Sequence, residues 1–241
     1  MHERKMAFEK SSRSVMPLII RFALYTLVIF AFTASLQLIV QHGDIVVFEE
    51  NGSIEWIQFG CLVAASSVFI AGYSVLSDFR ELFLLLASIS AFAAVRELDS
   101  LLDKAIPWIG WKVGFVMVLY AAGVAYSNRN KIKWQIAHFL SSPAFGVMWA
   151  GFIMAVPVAQ LLGHGPFLES LLGDDYDRSY KRVIEESGEM VGYLLLLAGS
   201  IESLLYMKAA RFLQSAQSGK MMVTQQEAAP DGNSAALHCR R

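Results

Sequence analysis

The 241-residue chain is 55% hydrophobic and only 17% charged, with a net charge of −1 and a mean hydropathy of +0.46. A soluble domain carries about 25% charged residues, so this composition excludes an ordinary soluble protein and favours the lipid bilayer as the surrounding medium. The near-zero net charge, without a Gly-rich phosphate loop or zinc-finger spacing, indicates no nucleic-acid partner.

Long apolar stretches predict an all-α integral membrane bundle of six transmembrane helices. A basic N-terminal segment, 1–14, precedes this transmembrane domain, which we expect to cover 15–213. The polar, aperiodic segment 214–241 follows it and is expected to be a disordered cytoplasmic tail. The six predicted spans cover approximately 17–40, 56–76, 82–102, 108–127, 136–162 and 186–205.

Small residues and prolines predict how two of these spans meet their neighbours. The fifth span contains Pro143 and Pro157, so a kink is expected there. In the sixth span, Gly188 and Gly192 form a pair of small residues at a spacing that allows another helix to approach closely. Helix contacts are therefore expected along that face.

The third and sixth spans reach membrane length only if charged residues enter the bilayer. The third is uncharged from Leu82 to Val95 and the sixth from Met190 to Ile201, whereas crossing the hydrocarbon takes about 20 residues. A charge well inside costs about 2.5–3.5 kcal/mol on insertion scales, so it must be paired, face water or lie near the edge. The charged residues drawn in are Arg96, Glu97 and Asp99, then Glu189 and Glu202, of which Glu202 is expected to snorkel or to pair with Arg21 or Lys208.

The distribution of Lys and Arg predicts that both termini are cytoplasmic. Most basic residues fall on one side of a six-span topology, including those in the short connections around Arg80 and in SNRNKIKW, 127–134. Cytoplasmic connections of membrane proteins carry such an excess of basic residues. We therefore expect a multi-pass bacterial inner-membrane protein whose carboxylates gather on the outer side.

Ionisable residues near the outer ends of three spans form the candidate site. Arg96 and Asp99 share a helical face at i and i+3, so they are expected to pair and leave Glu97 free to face a neighbouring helix. Glu185 and Glu189, at i and i+4, repel each other unless a cation or proton lies between them. We predict one outer pocket with ligand- or cation-binding candidates Glu55, Arg96, Glu97, Asp99, Glu185 and Glu189.

A metal centre is a weaker alternative. Catalytic zinc takes three close protein ligands, usually including His, and no H-E-x-x-H motif occurs. His42 and His164, both on the outer side, would have to converge from two loops. No G-x-S-x-G nucleophile motif is present either. No cofactor is therefore expected, with a divalent metal ion as the alternative.

Three short motifs carry a resemblance: E-N-G-S-I-E-W-I-Q, R-E-L-D and E-E-S-G-E-M-V-G-Y. Together they resemble a class of bacterial polytopic inner-membrane proteins, over about Glu50 to Glu202. The resemblance implies a membrane location and no particular activity. The chain is also similar in its outer acids to alkaline-ceramidase-like membrane hydrolases, but those have seven spans and a histidine set that this chain lacks.

Three functions remain open on these observations. The first is a non-enzymatic transporter, sensor or complex subunit that binds a cation, proton or small solute in the outer pocket. The second is a metal-dependent intramembrane lipid hydrolase that uses His42 or His164. The third is a scaffold in which the charges only tie helices together. The expected partners are the bilayer and either another membrane protein or a second copy of the chain.

Overall fold

The computed structural model describes residues 2–49 and 51–228, with side chains described for 16–49 and 51–212, and this part of the chain is helical without a strand. A π-helical turn, Met154–Val158, separates two of the helices. The ten α-helices are α1 His2–Gln41, α2 Ser53–Val75, α3 Arg80–Glu97, α4 Asp99–Ala105, α5 Phe115–Ser127, α6 Arg129–Leu140, α7 Pro143–Ile153, α8 Ala159–Leu162, α9 Gly165–Leu172 and α10 Arg178–Ala228.

Several helices are long and apolar enough to cross a membrane, which confirms the predicted all-α membrane bundle. Four segments meet this condition within the described residues, and a fifth is added if two helices that meet at 97° are counted as one bent span. The four are Met16–Gln41, Ser53–Val75, Pro143–Leu162 and Arg178–Phe212, and the bent pair is Asp99–Ala105 with Gly110–Ser127. The count of six spans and the orientation of the termini stay predictions.

The third predicted span corresponds to α3, which is bounded by charges at both ends. Arg80 and Glu81 open the helix and Arg96 and Glu97 close it. Its apolar middle is nevertheless part of the core, because α3 packs along α2. At Gly72 of α2, an added Cβ would lie 2.6 Å from the ring of Phe83. The two helices therefore touch more closely there than any larger residue would permit.

The core of the bundle is built around α10, which packs against α2 and α7. The predicted close approach at Gly188 and Gly192 is confirmed. A Cβ on Gly192 would lie 2.5 Å from Ala155, and one on Gly188 would lie 3.0 Å from Ala159. Ala155 lies in the π-helical turn and Ala159 is the first residue of α8, so these contacts hold the turn and the start of α8 against the charged part of α10.

The fifth predicted span differs from the expected single kinked helix. The chain breaks after α6, and Ser142 caps the N-terminus of α7 by accepting a hydrogen bond from the Phe145 amide at 3.3 Å. Pro143 occupies the first turn of α7, where its missing N–H costs nothing. The membrane-length segment therefore starts at 143 rather than 136. Pro157 lies in the π-helical turn, as expected for a proline that removes one helical hydrogen bond.

Two further boundaries differ from the prediction. The helix at the end of the third span stops at Glu97, and a new one, α4, begins at Asp99. The segment predicted as a disordered tail from 214 is helical to Ala228 in the described backbone, because Ala, Gln, Met, Lys and Glu there have high helix propensity. Residues 229–241 lie outside the described residues.

Candidate functional site

One cavity at the end of the bundle where α2 begins and α3 ends gathers the charged residues. We call it the cleft; its volume is about 400 Å³. The structure brings all six sequence-predicted candidates together around it: Glu55, Arg96, Glu97, Asp99, Glu185 and Glu189. The other lining residues are Trp111, Gln160, Arg178, Lys181, Arg182 and Glu186.

The centre of the cleft is one arginine between two glutamates. Arg96 Nη2 lies 3.5 Å from Glu97 Oε1 and 3.7 Å from Glu189 Oε1. The side chains of Glu97 and Glu189 are only 7% and 6% exposed, whereas that of Arg96 is 43% exposed. The predicted pairing of Arg96 with Asp99 along one helix is replaced by these contacts, because α3 ends at Glu97 and the helical register is broken.

Neutral donors complete the contacts of these two buried carboxylates. Tyr193 Oη donates a 2.7 Å hydrogen bond to Glu97 Oε1. Gln160 Nε2 donates a 3.1 Å hydrogen bond to Glu189 Oε1. Each glutamate therefore accepts one hydrogen bond from a neutral side chain, and the two glutamates share the more distant guanidinium of Arg96. This arrangement leaves carboxylate oxygens facing the cavity.

A third carboxylate, Glu186, lies on the α2 side of the cleft. The fully buried Gln58 donates from Nε2 to Glu186 Oε2 at 2.9 Å and to the Glu186 carbonyl at 3.2 Å. Within the described residues, Gln58 Oε1 is buried and has no hydrogen-bond donor. Buried acceptors nearly always find a donor, so this amide has capacity for a water molecule or another proton donor beside Glu186.

The predicted candidates at the edge of the cleft have weaker contacts. Glu55, in the first turn of α2, accepts a 2.6 Å hydrogen bond from the Asn51 amide. Glu185 Oε2 lies 3.9 Å from Lys181 Nζ, an i, i+4 pair on α10. Asp99 is exposed at the start of α4. All three residues line the opening of the cleft.

Sequence reasoning missed the roles of Glu186, Gln58, Tyr193 and Gln160. A signal was present for three of them, since Glu186, Glu189 and Tyr193 recur at i, i+3 and i+7 on one face of α10. Gln58 likewise follows Glu55 at i+3. No comparable signal marks Gln160, whose contact with Glu189 depends on the distance set by the π-helical turn.

The histidines do not form a metal centre in the described residues. No group of three or more His, Cys, Asp or Glu side chains there is placed to hold a metal ion. His42 is exposed, and its Nδ1 lies 2.7 Å from the Leu38 carbonyl oxygen. His164 lines a neighbouring cavity together with Glu169 and Glu185. A metal-dependent hydrolase therefore lacks a ligand set in this part of the chain.

The loop before α10 supplies one further electrostatic feature. Asp177 accepts a 2.7 Å hydrogen bond from the Ser179 amide, which caps the start of α10. Hydrogen bonds from the Ser179 backbone and side chain lower the pKa of Asp177 below its usual range. The cap holds in place the first turn of α10, from which Arg178, Lys181 and Arg182 reach the cleft.

Comparison with models of known families, with curated proteins and with solved structures gives no match. The chemistry open to the cleft follows from its own side chains. Two buried carboxylates share one half-exposed guanidinium, and the half-buried carboxylate of Glu186 lies in the same cleft beside Gln58. When all four groups are ionised, this part of the cleft carries excess negative charge, which suits the binding of a proton or a cation.

Proposed function

We propose that the protein is a multi-pass bacterial inner-membrane protein that binds a small cation, a proton or a positively charged solute in the cleft. In this proposal the chain crosses the membrane six times, both termini are cytoplasmic and the cleft faces the outer side. The excess of basic residues in the opposite connections supports this orientation. Transport, sensing and membership of a larger complex are all served by such a site.

The observation that carries the proposal is the unequal charge around Arg96. Glu97 and Glu189 share one guanidinium, and Glu186 adds a third carboxylate to the same cavity, which is large enough to admit a ligand. Burying an uncompensated carboxylate costs several kcal/mol, and ionisable groups at membrane depth generally mark a site of binding or passage. A bound cation or proton removes this cost.

The distances also support a ligand rather than a closed ion pair. Charge-assisted N–H···O bonds are about 2.7–2.9 Å long. The contacts of Arg96 are 3.5 and 3.7 Å, so the guanidinium does not satisfy either carboxylate. A ligand carrying N–H donors or a positive charge can approach both glutamates without displacing Arg96.

The test is binding of small cations to detergent-purified protein, measured by calorimetry and by intrinsic fluorescence, to which the cleft residue Trp111 contributes together with four other tryptophans. Ethanolamine, sodium, calcium and zinc ions are titrated into wild type, Glu189→Gln and Glu202→Gln. Glu202 is the matched control, because it is a buried glutamate of the same helix outside the cleft. We expect at least one cation to bind wild type and Glu202→Gln, with affinity reduced at least about tenfold in Glu189→Gln.

A scaffold is the second candidate, since Arg96 contacts carboxylates of both α3 and α10 and so ties them together. It predicts that no cation binds wild type and that proton uptake is unchanged across the variants. Glu189→Gln would then lower the unfolding midpoint without removing any binding. Calorimetry in two buffers of different ionisation enthalpy detects proton uptake and separates the two functions.

A further inference from the structure

The cleft adjoins a second cavity along the first turns of α10. This second cavity has a volume of about 480 Å³ and is lined by parts of α9 and of the loops around it, including His164 and Tyr176. The two cavities have four lining residues in common: Gln160, Arg178, Lys181 and Glu185. We call the two together the double cavity; a ligand beside the shared residues contacts the lining of both, and each volume falls within the range of about 300–1,000 Å³ typical of small-molecule sites.

The interior and the edge of this double cavity carry different sets of charges. The interior holds the buried carboxylates of Glu97 and Glu189. The edge holds three carboxylates and three basic side chains, the basic ones from one face of α10: Glu55, Asp99, Glu185, Arg178, Lys181 and Arg182. Of these acids, Glu55 accepts a hydrogen bond from the Asn51 amide and Glu185 lies near Lys181.

The three basic residues at the edge are largely uncompensated. Among the described residues, neither Arg178 nor Arg182 forms an ion pair, and Lys181 reaches Glu185 only at 3.9 Å. A guanidinium without a partner beside a cavity favours an anionic ligand, since its N–H groups match phosphate and carboxylate oxygens in pairs. Arg178 and Arg182 thus have the opposite preference to the interior.

The charges that lack partners select the class of ligand. A simple cation leaves Arg178 and Arg182 without a partner, and a simple anion is repelled by the carboxylates inside. A zwitterion satisfies both, provided that its positive end is an ammonium whose N–H groups can donate to Glu97 and Glu189. Three basic residues at the other end match the several oxygens of a phosphate better than the two of a carboxylate.

We propose that the double cavity binds an amino-alcohol phosphate, with the ammonium among the interior glutamates and the phosphate against Arg178, Lys181 and Arg182. This inference rests on the proposed function and narrows it to one chemical class. The same group occurs as free phosphoethanolamine and as the headgroup of an ethanolamine phospholipid. The chemistry of recognition is common to both sources, so experiment decides between them.

The test compares binding of the whole ligand with binding of its amine half and of its phosphate half. Phosphoethanolamine, ethanolamine and inorganic phosphate are titrated into purified protein by calorimetry, using wild type, the double variant Arg178→Gln/Arg182→Gln and Glu189→Gln. The control Lys131→Gln/Lys133→Gln removes two exposed basic residues from the opposite end of the bundle. A parallel series uses nanodiscs containing either an ethanolamine phospholipid or a glycerol phospholipid.

We expect phosphoethanolamine to bind wild type and the control at least about tenfold more tightly than either half, which corresponds to 1.4 kcal/mol. The Arg178→Gln/Arg182→Gln variant should lose this advantage and keep the affinity for ethanolamine. Glu189→Gln should lose affinity for both amines. If free phosphoethanolamine does not bind but nanodiscs with the ethanolamine phospholipid are preferred over those with the glycerol phospholipid, the ligand belongs to the same chemical class and its source is the lipid.

Other results overturn the inference. If ethanolamine binds as tightly as phosphoethanolamine, the basic edge plays no part in recognition, while the proposed cation site survives. If inorganic phosphate alone accounts for the affinity, the cleft is an anion site and the proposed function fails as well. If neither the free ligand nor the lipid binds while sodium, calcium or zinc ions do, only the zwitterion is excluded.

Discussion

Two buried glutamates of α10, thirteen positions apart, lie in contrasting environments. Glu202 is 3% exposed, and Arg21 binds it through two contacts, Nε to Oε1 at 2.7 Å and Nη2 to Oε2 at 3.1 Å. Tyr25 adds a 2.9 Å hydrogen bond to the same carboxylate. Glu189 is 5% exposed but lies 3.7 Å from a guanidinium that Glu97 also approaches.

The difference separates a structural ion pair from a site. At Glu202 one carboxylate meets one guanidinium with the two-pronged geometry that satisfies both, and this confirms Arg21 as one of its two predicted partners. In the cleft, two carboxylates share one more distant guanidinium, and a third carboxylate lies beside them in an open cavity. The first arrangement is complete as it stands, whereas the second has room and charge for something more.

The largest expected effect comes from breaking the complete pair. Arg21→Met leaves Glu202 buried without its cation, and loss of one partner of a buried pair is strongly destabilising. Because Arg21 is 34% exposed, we expect a loss of about 2–3 kcal/mol in the free energy of unfolding, measured by denaturant titration in detergent. The corresponding Arg96→Met should cost less than Arg21→Met, since the contacts of Arg96 are longer and its side chain is more exposed.

The double variant Arg21→Met/Glu202→Met provides the control. It removes both charges, so most of the lost stability should return. Arg21 also fastens α1, in which Leu36 is the one fully buried residue between Met16 and Gln41 and which otherwise has few contacts with α10. A loss in Arg96→Met as large as that in Arg21→Met would contradict the distinction between the two ends.

A steric change reaches the cleft without altering any charge. In Gly192→Ala the new Cβ would lie 2.5 Å from Ala155, which forces the segment leading to Gln160 away from α10. Overpacking of this kind costs about 1–3 kcal/mol, and the hydrogen bond from Gln160 to Glu189 should be weakened with it. We expect lower stability and lower ligand affinity together, measured by unfolding and by calorimetry.

Gly146→Ala is the matched control for this steric effect, because a Cβ at Gly146 of α7 meets nothing within 4 Å. It should be neutral or slightly stabilising, since alanine has the higher helix propensity. If Gly192→Ala leaves the affinity of the cleft unchanged, the position of Gln160 does not contribute to the site.

Much of this architecture was predictable from hydropathy and charge. Apolar runs identified the membrane bundle, and charges at the ends of two short runs identified residues that line one cleft. The break at Leu98 was not predictable, because neither Gly nor Pro marks it. Nor was the contact between Gln58 and Glu186, which depends on how closely α2 and α10 pack and not on spacing within either helix.

Two tyrosines offer a finer comparison of the two environments. Tyr193→Phe removes the shortest contact of Glu97, and hydrogen bonds to charged groups contribute about 1.5–3 kcal/mol. Tyr25→Phe removes a contact from a glutamate that keeps both bonds from Arg21, so we expect at most about 1 kcal/mol. Denaturant titration of both variants in the same detergent measures the difference, and equal losses would show that Arg21 does not compensate.

The smallest effect is expected at Asp177, whose carboxylate caps the helix that carries the basic edge of the cleft. Its pKa is lowered in the folded protein by the hydrogen bonds from Ser179. The stabilising contribution is therefore complete above the unfolded pKa of about 3.9 and disappears as the pH falls through the lower, folded value. Asp177→Ala should lower the melting temperature at pH 7, and the difference from wild type should disappear in acid. Asp174→Asn in the same loop should leave the melting temperature at pH 7 unchanged. A pH-independent difference would mean that packing, and not the charge of this cap, holds the first turn of α10.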